Sequence, residues 1–440
     1  MNGFCDKMFL RVNSWVYICC NAIECVLGES LGCGWAEKSS KLAFLRSPFA
    51  IFEVISKIFC TRCEKYRSKL HISLLFVAIF VTIMEETNFI LINRLEQWYA
   101  NHARELPWRA TRDAYCIWVS EIILQQTRVA QGYDYYLRFI DRFPTVEALA
   151  YADEDEVMKY WQGLGYYSRA RNMHAAAKDI MERFDGAFPS SFEAIKSLKG
   201  VGDYTAAAIA SIAYNLPHAV VDGNVYRVLS RLFDVDIPID TPAGKRYFAE
   251  LAQRLLHKEN PGLYNQALME LGALQCVPQG CDCSSCPLQE MCAANASGKV
   301  DKLPVKQAKV SVKSRYFHYF ALSCGDYIWL QRREGKDIWR NLYEYPLIET
   351  SESAHFIELQ RTDEYQKLFE GAGKLTYIGQ PFTCRHVLTH RIIYATFYTV
   401  EVEQCPASLS HLSPIHRNNI EQYAVARLTE LYHRHIEKER

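Results

Sequence analysis

Two carboxylates in this 440-residue chain stand where they could divide a reaction between them. Glu121 lies in Trp118-Val119-Ser120-Glu121-Ile122-Ile123-Leu124-Gln125-Gln126. On a helix its neighbours at i−4, i−3 and i+3 would be Ile117, Trp118 and Leu124. Apolar surroundings desolvate a carboxylate, disfavour its charged form and raise its pKa toward neutrality. A carboxyl so tuned can hand a proton to a leaving group near pH 7. Its local sequence would also suit a solvated glutamate on a helix edge. Asp222 opens Asp222-Gly223-Asn224-Val225-Tyr226-Arg227, ahead of an amphipathic stretch. It reads as an N-cap, and helix N–H groups keep a capping carboxylate ionised. One acid held neutral beside one held charged is the division that glycosidic bond cleavage needs.

A second group of reactive side chains follows. Cys276, Cys283, Cys286 and Cys292 are separated by six, two and five residues. Four thiolates in so short a span can close around a metal or a cluster. The spacing does not separate zinc from a cubane iron–sulfur cluster, and the extra Cys281 leaves one ligand choice open. The sixteen cysteines of the chain are not spaced as a small disulfide framework. Local clustering in a long chain reads instead as metal ligation in a reducing compartment.

Between the two carboxylates lies Leu198-Lys199-Gly200-Val201-Gly202-Asp203-Tyr204-Thr205-Ala206. Gly200 and Gly202 are expected to take positive φ in a tight turn and to let backbone approach a ligand. A helix entered through Asp203 to Ala206 would aim unbonded N–H groups and its positive end at a phosphate. That grip holds a nucleic-acid backbone without reading bases and without a large basic patch. It suits a chain in which 50 basic residues balance 50 acidic ones. Alone, such a segment could be only a turn.

The elements that must position these residues are mainly helical. From Asn88 to about Ala296 apolar residues recur at helical spacing, as in Ile90, Ile92, Leu95 and Trp98. Asp185-Gly186 and Asn260-Pro261 punctuate the pattern. Beyond Lys313 the period changes. Arg315–Gln331 and Arg391–Val402 are rich in Tyr, Phe, Ile, Thr and Val, as strands are, with a helical piece near Thr362–Glu370 between them. The chain is too long for one core. Residues 84–296 are expected to form a helical domain, 297–313 a linker and 314–440 an α+β domain. Residues 1–83 are expected to be an extension outside the working protein, which would begin at Met84. The apolar run Ile72–Met84 is shorter than the roughly 20 residues that span a bilayer. A membrane anchor is the second reading of that run, and Cys60 and Cys63 alone are weak evidence for a metal.

Taken together, the motifs resemble the endonuclease III superfamily and, within it, the MutY adenine glycosylases. The matching segments are Leu106-Pro107-Trp108-Arg109, Ser120-Glu121 with Leu124-Gln125-Gln126-Thr127, Gly163-Leu164-Gly165-Tyr166-Tyr167-Ser168-Arg169-Ala170-Arg171-Asn172, the glycine hairpin, Val221-Asp222-Gly223-Asn224-Val225 and Asn265-Gln266-Ala267-Leu268-Met269. The resemblance implies an all-α helix-hairpin-helix glycosylase domain with an iron–sulfur loop, followed by an α+β Nudix-like domain. It implies a [4Fe–4S] cluster on Cys276, Cys283, Cys286 and Cys292. Bifunctional relatives carry a lysine where this chain has Tyr204, so a monofunctional glycosylase is implied.

Carried over by position, Glu121 protonates adenine at N7, and Asp222 stabilises the positive sugar with Asn224 and Tyr204 in support. Gln126, Leu164 and Tyr166 match residues that wedge the duplex open, and Gly200, Val201, Gly202 and Thr205 belong to the backbone grip. Trp339-Arg340-Asn341-Leu342-Tyr343-Glu344-Tyr345-Pro346 matches a segment of the 8-oxoguanine-reading module. The family's F-S-H reader is Leu388-Thr389-His390 here: Thr389 keeps the hydroxyl with an added methyl, and Leu388 replaces an aromatic. No Nudix box of paired glutamates is present, so nucleotide hydrolysis is not expected. The implied partner is double-stranded DNA holding A:8-oxoguanine or A:G mispairs, bound by a cytoplasmic monomer without an obligate protein partner.

Overall fold

The computed structural model describes residues 70–307 and 312–439. Packing divides the chain into two compact units: Met1–Gln97 with Arg227–Asp236 and Gln275–Pro304, and Trp98–Tyr226 with Ile237–Leu274 and Val305–Arg440. The expectations for residues 1–69, including the Cys60–Cys63 pair, lie outside the described residues. Helix α1 (Leu70–His102) runs through residue 84 without a break. The side chains of the apolar run before that point are likewise outside the described residues. Among the described residues no helix is long and apolar enough to cross a membrane.

The helical part continues through α2 (Ala114–Leu124), α3 (Val129–Arg142), α4 (Val146–Tyr151), α5 (Glu154–Trp161), α6 (Ser168–Phe184) and α7 (Phe192–Lys196). It ends with α8 (Asp203–Tyr214), α9 (Gly223–Leu232), α10 (Pro242–Leu255), α11 (Pro261–Leu274) and α12 (Ala293–Ser297). Local chemistry sets several boundaries. The Asp113 carboxylate accepts from the N–H groups of Tyr115 and Cys116 and starts α2. Thr241 accepts from Gly244 N–H ahead of α10, with Pro242 at its first position. Helix α6 stops where Asp185 and Gly186 turn left-handed, at φ 51° and 76°. Of the stretch expected as a linker, Ser297 still belongs to α12. Val305 O accepts from Ile239 N–H at 3.0 Å, and Gln307 N–H donates to Asp240 at 2.9 Å.

The remainder is built on a mixed sheet of seven strands. The long strands β1 (Lys313–Cys324) and β8 (Arg391–Val402) pair in parallel at its centre, with Phe317 opposite Ala395 and Tyr319 opposite Phe397. Beyond them the path runs through β2 (Tyr327–Ile328) and β9 (Ile415–His416) on one side and β6 (Leu375–Tyr377) on the other. Strand β5 (Leu347–Thr350) pairs with β1, and β7 (Phe382–Val387) pairs with β8, both antiparallel. A separate ribbon joins β3 (Gln331–Arg332) to β4 (Tyr343–Glu344). Helices α13 (Phe356–Leu359), α14 (Asp363–Leu368) and α15 (Arg427–Glu439) complete the α+β part.

One connected apolar cluster runs from Trp118, Trp161 and Ile180 among the helices to Phe317, Tyr319 and Phe397 in the sheet. Directed bonds link the same two parts. Gln162 Nε2 donates to Glu430 Oε1 at 2.7 Å, and Arg171 Nη1 donates to the Arg340 carbonyl at 2.7 Å.

Candidate functional site

Helix α2 is apolar around most of its circumference, so it is buried on all sides rather than along one stripe. That burial takes Glu121 with it: the side chain is 9% exposed. Tyr204, in the first turn of α8, donates its hydroxyl to Glu121 Oε2 at 2.6 Å. Burial pushes the Glu121 carboxyl up to about 7, and the Asp222 charge pushes the same way. The Tyr204 hydrogen bond and the Arg109 charge pull it down. Tyr204 itself is raised well above the ordinary phenol range, by burial first and then by the charges of Glu121 and Asp222. It stays a neutral donor at any working pH.

Asp222 is the N-cap that its sequence suggests. Its Oδ1 accepts from Val225 N–H at 2.7 Å, and Oδ2 accepts from Asn224 Nδ2 at 2.8 Å. Both carboxylate oxygens therefore receive donors that favour the anion. Asn224 is fixed by close packing: a Cβ on Gly272 would come within 2.6 Å of Asn224 Cβ. The structure thus joins one desolvated acid to Tyr204, and a helix-capping acid to Asn224.

The hairpin departs from the sequence reading at one glycine. Gly200 has φ 83°, and a Cβ there would meet Asn172 Cβ at 2.7 Å, so glycine is required. Gly202 does not share the expected positive φ. It sits at φ −98° as the residue preceding α8, because the helix needs an extended N-cap. A Cβ at Gly202 would meet nothing within 4 Å. No side chain caps α8, which leaves its first N–H groups open to an acceptor from outside. Thr205 is 1% exposed, and its hydroxyl accepts from Gln125 Nε2 at 3.1 Å. Only its backbone could face a phosphate. Val201 is likewise buried.

Gln126 and Tyr166 project from two turns in the left-handed region, at φ 58° and 45°. Both are exposed, whereas Leu164 between them in the motif set is buried. A residue that the sequence reading missed holds both turns. Arg169 is buried and donates to the carbonyls of Ile122 and Ile123 at 2.8 and 2.9 Å, to Gln125 O, and to Gly165 O at 3.1 Å. It therefore satisfies the last carbonyls of α2 and ties that end to the Tyr166 turn. Its place in the Ser168-Arg169-Ala170-Arg171 run was the available signal. Leu388, Thr389 and His390 form the turn between β7 and β8, where Thr389 and His390 are exposed and Leu388 is half-buried. Thr389 Oγ1 lies 2.7 Å from Tyr166 Oη.

A second missed group surrounds Glu270, which is 1% exposed. Its carboxylate accepts from Arg104 N, Nε and Nη2 at 3.0, 2.8 and 2.5 Å, and from Arg109 Nη1 and Nη2 at 2.9 and 2.7 Å. Burial alone would raise this acid, but the two guanidiniums outweigh it and hold the carboxyl down at about 2. Tyr99 donates to Gln266 Oε1 at 2.8 Å on the same side.

In the other unit, Cys276, Cys281, Cys283, Cys286 and Cys292 ring one cleft together with Arg231. Arg231 is 2% exposed. Its Nη1 lies 3.3 Å from Cys276 Sγ, and its Nε donates to Val300 O at 2.9 Å. Burial and neighbouring thiols push Cys283 up to about 12 and Cys286 up to about 11. Among the described residues no three His, Cys, Asp or Glu side chains converge on a point that one ion would fill. Thiols are the donors an iron–sulfur cluster takes, and a cleft lined by them fits such a group.

The comparisons with known proteins agree with this architecture. Residues 119–254 match the HhH-GPD superfamily base excision DNA repair protein family, and residues 318–435 match the NUDIX domain. The chain is 34% identical over 267 residues to the adenine DNA glycosylase of Buchnera aphidicola subsp. Baizongia pistaciae, covering 59% of this chain and 74% of that one. With the adenine DNA glycosylase of Rattus norvegicus it shares 42% over 238 residues, 51% of this chain and 46% of the other. Among solved structures, a thermostable thymine-DNA glycosylase is similar at 25% identity and a TM-score of 0.45, covering 49% of this chain and 99% of that chain. The Buchnera match spans most of its partner, and the chain therefore belongs to the MutY-type adenine DNA glycosylases, enzymes of base excision repair.

Proposed function

We propose that this glycosylase removes adenine paired with 8-oxoguanine, or with guanine, and leaves the DNA strand intact. The observation that carries the reading is the 2.6 Å bond from Tyr204 to a buried Glu121 whose carboxyl titrates at about 7. Glu121 gives its proton to N7 of an extruded adenine. The bond from C1′ to N9 then breaks, and its electron pair stays with the purine. Asp222, kept anionic by Asn224 and Val225, stabilises the positive sugar until water adds at C1′ and gives its spare proton to the Glu121 carboxylate, which restores the acid. Extruding the base costs a few kcal/mol. The open N–H groups after Gly200-Val201-Gly202 would hold the backbone, and Gln126, Leu164 and Tyr166 would part the base pairs. Leu388, Thr389 and His390 would read the 8-oxoguanine left behind. No lysine stands at position 204 to form a Schiff base.

Cys276, Cys283, Cys286 and Cys292 would hold a [4Fe–4S] cluster. When bound, such a cluster supplies a covalent cross-link that fixes the loop. The working protein would comprise a glycosylase domain over 84–296, a linker over 297–313 and a reader over 314–440, with residues 1–83 outside it. It would act as a monomer on DNA in the cytoplasm.

The test is base release from an A:8-oxoguanine duplex. Free adenine should appear while strands break only after alkali, and E121Q should release it about two to four orders of magnitude more slowly. Strand breaks without alkali, or a borohydride-trapped protein–DNA adduct, would overturn the monofunctional reading.

A further inference from the structure

The loop carries five thiols where a [4Fe–4S] cluster takes four, one per iron. Cys281 is the extra one, two residues before Cys283. Its Sγ lies 3.8 Å from Cys283 Sγ, and both line the cleft that holds Cys276, Cys286 and Cys292. The one buried guanidinium described at this cleft, Arg231, aims Nη1 at Cys276 Sγ and also at Cys281 Sγ, at 3.3 and 3.6 Å. That group has little freedom to turn elsewhere. It also donates to Val277 O at 2.7 Å and Pro278 O at 3.1 Å. A fixed cation stabilises whichever thiolates it faces, and here it faces one family ligand and the supernumerary cysteine.

The local turn keeps the two sulfurs side by side. Cys283 N–H donates to Cys281 O at 3.1 Å, and Gln275 Nε2 donates to Asp282 O. The Asp282 carboxylate accepts from Ser284 and Ser285 N–H and fixes the turn that follows. Cys281 and Cys283 therefore present their thiols to the same side of the cleft.

We propose that Cys281 is an interchangeable ligand for the cluster corner that the family spacing gives to Cys283. This rests on the proposed [4Fe–4S] reading. In the exchange the incoming thiol loses its proton as sulfur bonds iron. The departing thiolate gains a proton, and no electron moves. The loop then keeps its cluster when either sulfur is alkylated or oxidised.

Two measurements test it on the full chain purified without oxygen, reading iron content and the visible thiolate-to-iron absorbance. C281S and C283S should each hold iron close to the wild-type amount, while C281S/C283S should fall to the level of C276S. C283S as iron-poor as the double variant would overturn the proposal. A wild type without iron would overturn the cluster reading itself. The second measurement needs no variant. Limited iodoacetamide labelling of the iron-loaded wild type should place the label on Cys281 in some molecules and on Cys283 in others. Label on Cys281 alone would show that Cys283 never leaves, and the exchange would be refuted.

Discussion

Tyr166 Oη and Thr389 Oγ1 lie 2.7 Å apart, although 223 residues separate them in the chain. One hydroxyl belongs to a turn of the helical part, the other to the hairpin between β7 and β8. The residue proposed to enter the duplex and the residue proposed to read the lesion therefore touch before any DNA is bound. Thr389→Ala removes a hydroxyl worth about 1 kcal/mol as a hydrogen-bonding group. It should lower kcat/KM on A:8-oxoguanine roughly fivefold and leave A:guanine nearly unchanged, which single-turnover assays on both duplexes will compare.

Glu121 must be protonated to act as an acid, and its folded pKa stands at about 7. The single-turnover rate should therefore fall as pH rises through 7. E121Q should lose about two to four orders of magnitude in rate.

The same group also makes a prediction for stability. A carboxyl whose folded pKa exceeds its unfolded value binds more protons when folded, so stability drops between roughly pH 4.5 and 7 and stays low above. The shift corresponds to roughly 3 kcal/mol. E121Q should melt higher than wild type at pH 8 and show little difference at pH 5, measured by calorimetry.

Tyr204 donates to the charged form of Glu121 and so depresses its pKa. Tyr204→Phe should move the alkaline limb of the rate profile to higher pH, with a lower plateau. A profile that only scales down, without moving, would assign Tyr204 to packing.

Glu270 offsets two guanidiniums, and Arg109 is one of the charges felt by Glu121. Glu270→Gln leaves buried positive charge uncompensated, which costs about 3–5 kcal/mol. It should also lower the Glu121 pKa and weaken activity most above pH 7. In the wild type this ion cluster stabilises above about pH 4.5, and its contribution is lost as pH falls toward 2.

Residue type and spacing carried much of this site. Glu121 was legible because apolar neighbours at helical spacing announce burial, and Asp222 because an aspartate before Gly-Asn-Val reads as a cap. Cysteine density marked the segment whose thiols line one cleft. Arg169 and Glu270 were not legible, because their partners lie on other elements and no local rule brings an arginine to the end of a helix 44 residues away. Gly202 misled for a different reason. Two glycines spaced by one residue suggest two left-handed positions, but only Gly200 is forced there by Asn172. The Tyr166–Thr389 contact depends on packing between a helical part and a sheet, which periodicity cannot supply.

Gln126 and Tyr166 both hold left-handed backbone without being glycine, a conformation that costs about 1–2 kcal/mol per residue. Arg169 locks the two turns in that shape within the folded protein. An enzyme searching for a rare lesion inspects many intact base pairs for each damaged one. If its probes had to be reshaped at every stop, each inspection would carry that expense again. With the shape already set at folding, the proposed probes would test a base pair at no conformational cost to themselves, and the barrier at each stop would belong to the DNA.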